Sequence, residues 1–124
     1  MDIQETKQSN RRRLKRRHLI YYLRVFDCEK DQLLGHVVNL TIQGIMVISD
    51  QPVERDHRYR LRMHLPHDMG DVDTIDFDAT SVWIRHDVNP EFYNSGFKFE
   101  SIQEKDRNIL RDLIDRFGLE DVWE

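Results

Sequence analysis

The stretch that decides the fold is "IDFDATSVWIR", Ile75–Arg85. Its first half alternates, with Ile75, Phe77 and Ala79 on one side and Asp76 and Asp78 on the other. Such a period of two marks a strand with one buried and one wet face. Val82, Trp83 and Ile84 continue the run with residue types that strands favour. Just upstream, "RYRLRMHL" (58–65) alternates Arg with Tyr, Leu and Met. The polar "PHDMGDVD" between the two, with its Pro and Gly, reads as a turn.

Outward from this pair, four more segments have strand character: "LIYYLRVFD" (19–27), "LLGHVVNL" (33–40), "GIMVIS" (44–49) and "FYNSGFKFESI" (92–102). Short polar connections such as "CEKDQ" and "TIQ" separate them. The period then changes. Ile109, Leu110, Leu113, Ile114 and Phe117 recur at helical spacing, Ser101 and Glu104 have the spacing of a capping box, and Gly118 stands where a helix ends. These signals predict a helix over 103–117. Six short strands and one terminal helix predict a mainly β chain. The expected form is a six-stranded antiparallel barrel whose C-terminal helix covers one opening.

The 124 residues suit one domain over 11–124, preceded by a flexible tail over 1–10. No apolar run is long enough for a membrane helix. The polar start "MDIQETKQSN" is followed by no apolar h-region, so no secretory signal is expected. With a single Cys28, a reducing cytoplasm is the expected setting. Charge is uneven. Six of the eight residues in "RRRLKRRH" (11–18) are Lys or Arg, although the whole chain carries a net charge of -4. Residues 1–18 carry a net +5 and residues 19–124 a net -9. An acidic body is a poor attractor of DNA or RNA, which needs an extended basic field, so no nucleic-acid partner is expected.

Two features could carry binding chemistry. In the basic run, Arg12 and Arg16 are four apart, as are Arg13 and Arg17. Planar guanidinium groups pair with phosphate through two parallel bonds and stack on bases, and a solvated basic tail has the same composition. The second feature is "NLTIQG" (39–44), between two strands. Asn39 and Thr41 offer short polar side chains, and Gly44 allows close backbone approach. An ordinary hairpin turn would also use these residues.

Together, in this order, the two features resemble the PilZ domain family of bacterial receptors for cyclic di-GMP. That family carries Arg-x-x-x-Arg before the first strand and Asp/Asn-x-Ser-x-x-Gly after the second. Here Thr41 stands for the Ser and keeps the hydroxyl. The resemblance continues through "SVWIRHD", "SGFKFESI" and the helix, covering about 11–117. It implies a PilZ-like barrel that binds cyclic di-GMP and passes the signal to a downstream protein partner, with no catalysis and no cofactor. It further implies that the arginines grip phosphate and guanine and that Asn39 and Thr41 hydrogen-bond the ligand. Gly44 would keep the turn low, and Trp83 would pack near a base, with Arg85 and His86 as lesser candidates. The clamp is either Arg12/Arg16 or Arg13/Arg17. A third alignment puts Ile20 in place of the second Arg, and the domain would then be an adaptor that binds protein without nucleotide. His64 and His67 lack a third ligand at metal spacing, and "DMGDVDTIDFD" lacks the glycine and closing Glu of a calcium loop, so no metal is expected. No nucleophile–base pair is apparent.

Overall fold

In the computed structural model, which describes residues 23–66 and 72–117, six strands precede a single helix. They are β1 (Arg24–Asp27), β2 (Gln32–Leu40), β3 (Gly44–Ser49), β4 (Arg58–His64), β5 (Thr74–His86) and β6 (Tyr93–Ser101), followed by α1 (Glu104–Phe117). All pairings are antiparallel, in the order β1-β2-β3-β6-β5-β4, and β4 returns to β1 to close a barrel. Closure leaves no long unpaired edge on which another chain could nucleate a sheet. The mainly β barrel and terminal helix are as the sequence predicts. Residues 19–22 of the first predicted strand lie outside the described residues, as do the tail 1–10 and Gly118.

Alternation fills the interior. Val25, Val37, Val47, Leu61, Met63, Phe77 and Ala79 are wholly buried. Burying a side chain of the Val, Leu or Phe size is worth roughly 1.5–3 kcal/mol each. Helix α1 adds Leu110, Leu113 and Ile114 to the same core. It lies across the end of the barrel where β4 and β6 finish and β5 begins. On one side Lys105 and Ile109 border a groove with Thr74 and Asp76. On the other Arg107 borders one with Ile42 and Phe99.

The expected capping box does not form. The helix begins at Glu104, and the first helical hydrogen bond runs from the Arg107 N–H to the Gln103 carbonyl at 2.9 Å. Ser101 is still paired in β6, opposite Asp78, so it cannot turn back to cap the helix.

Strand β5 is irregular near its middle. Its register on β6 shifts between Ser81 and Trp83: Ser81 faces Phe97, Trp83 faces Gly96, and Ile84 faces Ser95. Val82 is the extra residue, 39% exposed. A bulge of this kind inverts which face the subsequent residues take. Continued alternation from Ile75 would send Trp83 and Arg85 into the barrel. After the bulge Ile84 packs on the core instead, and Arg85 is exposed.

Outside, the β4 arginines pair with the β5 carboxylates. Arg62 Nε and Nη2 donate to both oxygens of Asp76 at 2.8 and 2.9 Å. Arg58 and Arg60 share Asp78 at 2.9 and 3.2 Å. The hydrogen bond from Arg62 holds the Asp76 carboxyl below its ordinary range, and that from Arg58 does the same for Asp78. A depressed carboxylate stabilises the fold above its unfolded pKa and loses that contribution as pH falls through the folded value. Asp76→Asn is therefore expected to lower the melting temperature slightly at pH 7, and the deficit should shrink as pH falls below the ordinary carboxylate range and the Asp76 carboxyl takes up its proton. Leu113→Ala, in contrast, empties a wholly buried position between helix and barrel. Denaturant unfolding should show a loss of about 2–5 kcal/mol.

Candidate functional site

The β2–β3 turn is held by its own side chains. The Leu40 N–H donates to Asn39 Oδ1 at 2.9 Å. The Gln43 and Gly44 N–H groups donate to Thr41 Oγ1 at 3.2 and 3.3 Å, and the Thr41 N–H donates to the Gly44 carbonyl at 2.9 Å. A hydroxyl that accepts backbone N–H groups in this way substitutes for a backbone turn bond. The Thr41 hydroxyl is thus engaged in shaping the turn, its own proton directed at the Gly44 carbonyl at 3.4 Å. Gly44 has no substitute here. A Cβ on it would lie 2.0 Å from the Phe97 carbonyl oxygen of β6.

Trp83 lies across the neighbouring strand. A Cβ on Gly96 would fall 2.2 Å from the indole Nε1 and 2.4 Å from Cε2. Gly96 is the opposite residue in register, so the indole covers the bare glycine. Above it, the Arg85 guanidinium carbon sits 4.6 Å from the indole centroid, a cation–π contact. The bulge at Val82 is what brings Trp83 to this face.

The turn and the indole border one shallow depression of about 290 Å³. Asn39, Thr41, Gln43, Gly44 and Lys98 line its polar side, and Met46, Val82 and Trp83 its apolar side. Among the described residues no carboxylate lines it. A cation, amide donors and an aromatic beside a flat apolar surface suit a planar, acceptor-rich ligand that carries negative charge. Asn39, Thr41, Gly44 and Trp83, candidates on sequence grounds, meet here. Arg12, Arg13, Arg16, Arg17 and Ile20 lie outside the described residues. His86 stacks on Tyr93, with ring centroids 4.8 Å apart, and does not border the depression. Met46, Val82, Gly96 and Lys98 join the site without being sequence candidates. A glycine inside a strand pattern is the signal that points to Gly96, since it marks close approach.

His64 packs on Phe26 with ring centroids 5.0 Å apart, and burial, followed by the nearby Arg24 and Arg62, lowers its pKa. Its sequence companion His67 lies outside the described residues. Among the described residues no group of three or more His, Cys, Asp or Glu side chains could hold a metal ion.

Residues 10–116 match the PilZ domain. The chain belongs to the PilZ domain family. Its fold is shared with the inhibitor of motility MotI/DgrA of Bacillus subtilis, at 21% identity and a TM-score of 0.60, over 76% of this chain and 44% of that one. It is shared also with YcgR of Escherichia coli, solved in complex with c-di-GMP, at 15% identity and a TM-score of 0.59, over 80% of this chain and 42% of that one. This PilZ chain therefore spans less than half the length of either neighbour. No curated protein matches it in sequence. No helix among the described residues is long and apolar enough to cross a membrane.

The seating of the indole can be tested directly. The chain has two tryptophans, so a Trp123→Phe background reports Trp83 alone. In it, Gly96→Ala should lift the indole from the strand. The expected outcome is a red-shifted emission and a stability loss of about 1–3 kcal/mol in denaturant unfolding.

Proposed function

We propose that this PilZ domain is a receptor for cyclic di-GMP, a binding module and not an enzyme. The observation that carries the reading is the depression shared by the Asn39–Gly44 turn and Trp83, lined by no carboxylate among the described residues, in a chain whose residues 11–17 hold two Arg-x-x-x-Arg pairs. The ligand is a dianion with two planar bases. Guanidinium groups bind both parts, by bidentate bonds to phosphate and by stacking or bonding to guanine. Lys98 and Arg85 on the barrel add positive charge next to the depression. The arginine segment then closes over a ligand already seated on the turn, and a protein partner reads the closed arrangement. A ligand shifts that equilibrium only by what it gains in contact between the open and closed states. This receptor acts in the cytoplasm, where a free Cys28 thiol is stable.

A second reading has its own observation. Leu33 is 49% exposed and borders, with Leu34, Ile48 and Phe92, a groove of about 400 Å³ remote from the turn. An adaptor that binds protein without nucleotide would use such a surface.

Calorimetric titration with cyclic di-GMP at moderate salt separates the two. Binding at micromolar concentration is expected for the wild-type chain. Replacement of Arg12 and Arg16, or of Arg13 and Arg17, by Ala should weaken it at least about tenfold for the pair that forms the clamp. A folded sample that gives no heat with cyclic di-GMP leaves the adaptor.

A further inference from the structure

We infer that Arg85 is a built-in competitor for the ligand: it covers the outer face of the Trp83 indole in the free protein and must swing away before a base can stack on that ring. The inference rests on the receptor reading and adds to it a resting state in which the site holds its own arginine.

Trp83 has little free face. One side of the ring rests on Gly96, where a Cβ would fall 2.2 Å from Nε1 and 2.4 Å from Cε2. On the other, the Arg85 guanidinium carbon stands 4.6 Å from the ring centroid. Both residues follow the bulge and are two apart, so they share the outer face of β5. The depression borders the indole without bordering Arg85. With glycine on one side and guanidinium on the other, the depression is left with the edge of the ring.

The neighbours of Arg85 are committed elsewhere. Opposite it on β6 is Asn94, whose Nδ2 donates to Asp87 Oδ1 at 2.8 Å. Asp87, two residues beyond Arg85, accepts the Asn89 N–H on its other oxygen at 3.2 Å. Arg85 itself is exposed and has no ion pair among the described residues. The ring is what holds its guanidinium.

A guanidinium is planar, weakly hydrated and stacks on aromatic faces, so it makes with the indole the kind of contact that a purine would make. The hold is light. At an exposed site a cation–π contact is worth about two- to fivefold in an equilibrium. Arg85 thus keeps the ring covered in most molecules, and the apparent affinity of a stacking ligand falls with the fraction in which the ring is open. Once displaced, the guanidinium remains beside the dianion.

The test is calorimetry with cyclic di-GMP at moderate salt, on the full chain and on Arg85→Ala. The variant uncovers the ring, and the charge it loses is exposed and screened. It is expected to bind about two- to fivefold more tightly than the wild type. A second measurement needs no ligand. In a Trp123→Phe background, Arg85→Ala should increase the quenching of Trp83 emission by acrylamide, an uncharged collider. Unchanged quenching overturns the inference, because the ring was then never covered. Binding by Arg85→Ala that is equal to or weaker than that of the wild type also overturns it and leaves the receptor reading in place. Absence of binding by both folded proteins overturns the two together.

Discussion

The pairing of β1 with β4 is the constraint on which the rest depends. It consists of Val25 with Met63, Phe26 with Arg62 and Asp27 with Leu61. Without it the sheet would have two open edges and no enclosed core. With it, the inward positions of six strands must fill a narrow interior, and the helix must cover the end. Val25 and Met63 are wholly buried on the inner side of that seam. On the outer side Phe26 is next to Arg62, which is committed to Asp76. A closed barrel also limits where a site can lie. The interior is full, so ligand chemistry belongs on the outer surface and at the turns.

The outer surface gains its site by breaking a rule. Uninterrupted alternation in β5 would have turned Trp83 toward the core. The extra residue at Val82 inverts the face, and so an indole appears outside at the point where Gly96 leaves room for it. On the next strand, Gly44 lets the β2–β3 turn sit directly against the Phe97 carbonyl. Two positions without a Cβ thus bring the turn and the indole down to the same level. The depression is the result. Side chains at either glycine would raise one wall and close it.

Much of the architecture is legible in the sequence because it rests on local patterns. Alternation in Ile75–Ala79 and in Arg58–His64, and helical spacing from Ile109 to Ile114, depend on which face meets the core. The Asn39–Gly44 turn is legible as a motif. Other details are not, for physical reasons. The side on which Trp83 falls depends on a one-residue register shift against β6, which is a property of two strands together and is invisible in either alone. The Ser101 and Glu104 spacing misleads because pairing with Asp78 keeps Ser101 in its strand, and tertiary pairing overrides a local capping preference. The Thr41 hydroxyl reads in sequence as a ligand contact, yet its lone pairs serve the turn. Lys98 gives no signal, since a lone Lys on a strand is ordinary. The arginines at 12, 13, 16 and 17 lie outside the described residues, so their part in the site stands as read from sequence.

The central claim is that half of the binding site is built on the barrel and waits for the other half from the arginine segment. A titration of the isotope-labelled chain with cyclic di-GMP, followed in two-dimensional amide spectra, tests this most directly. The Gly44, Gly96 and Lys98 amides and the Trp83 indole N–H are predicted to shift together on ligand addition, along with the arginine segment, while the β1–β4 seam stays still. Shifts confined to the arginine segment, or centred on the seam, would contradict it.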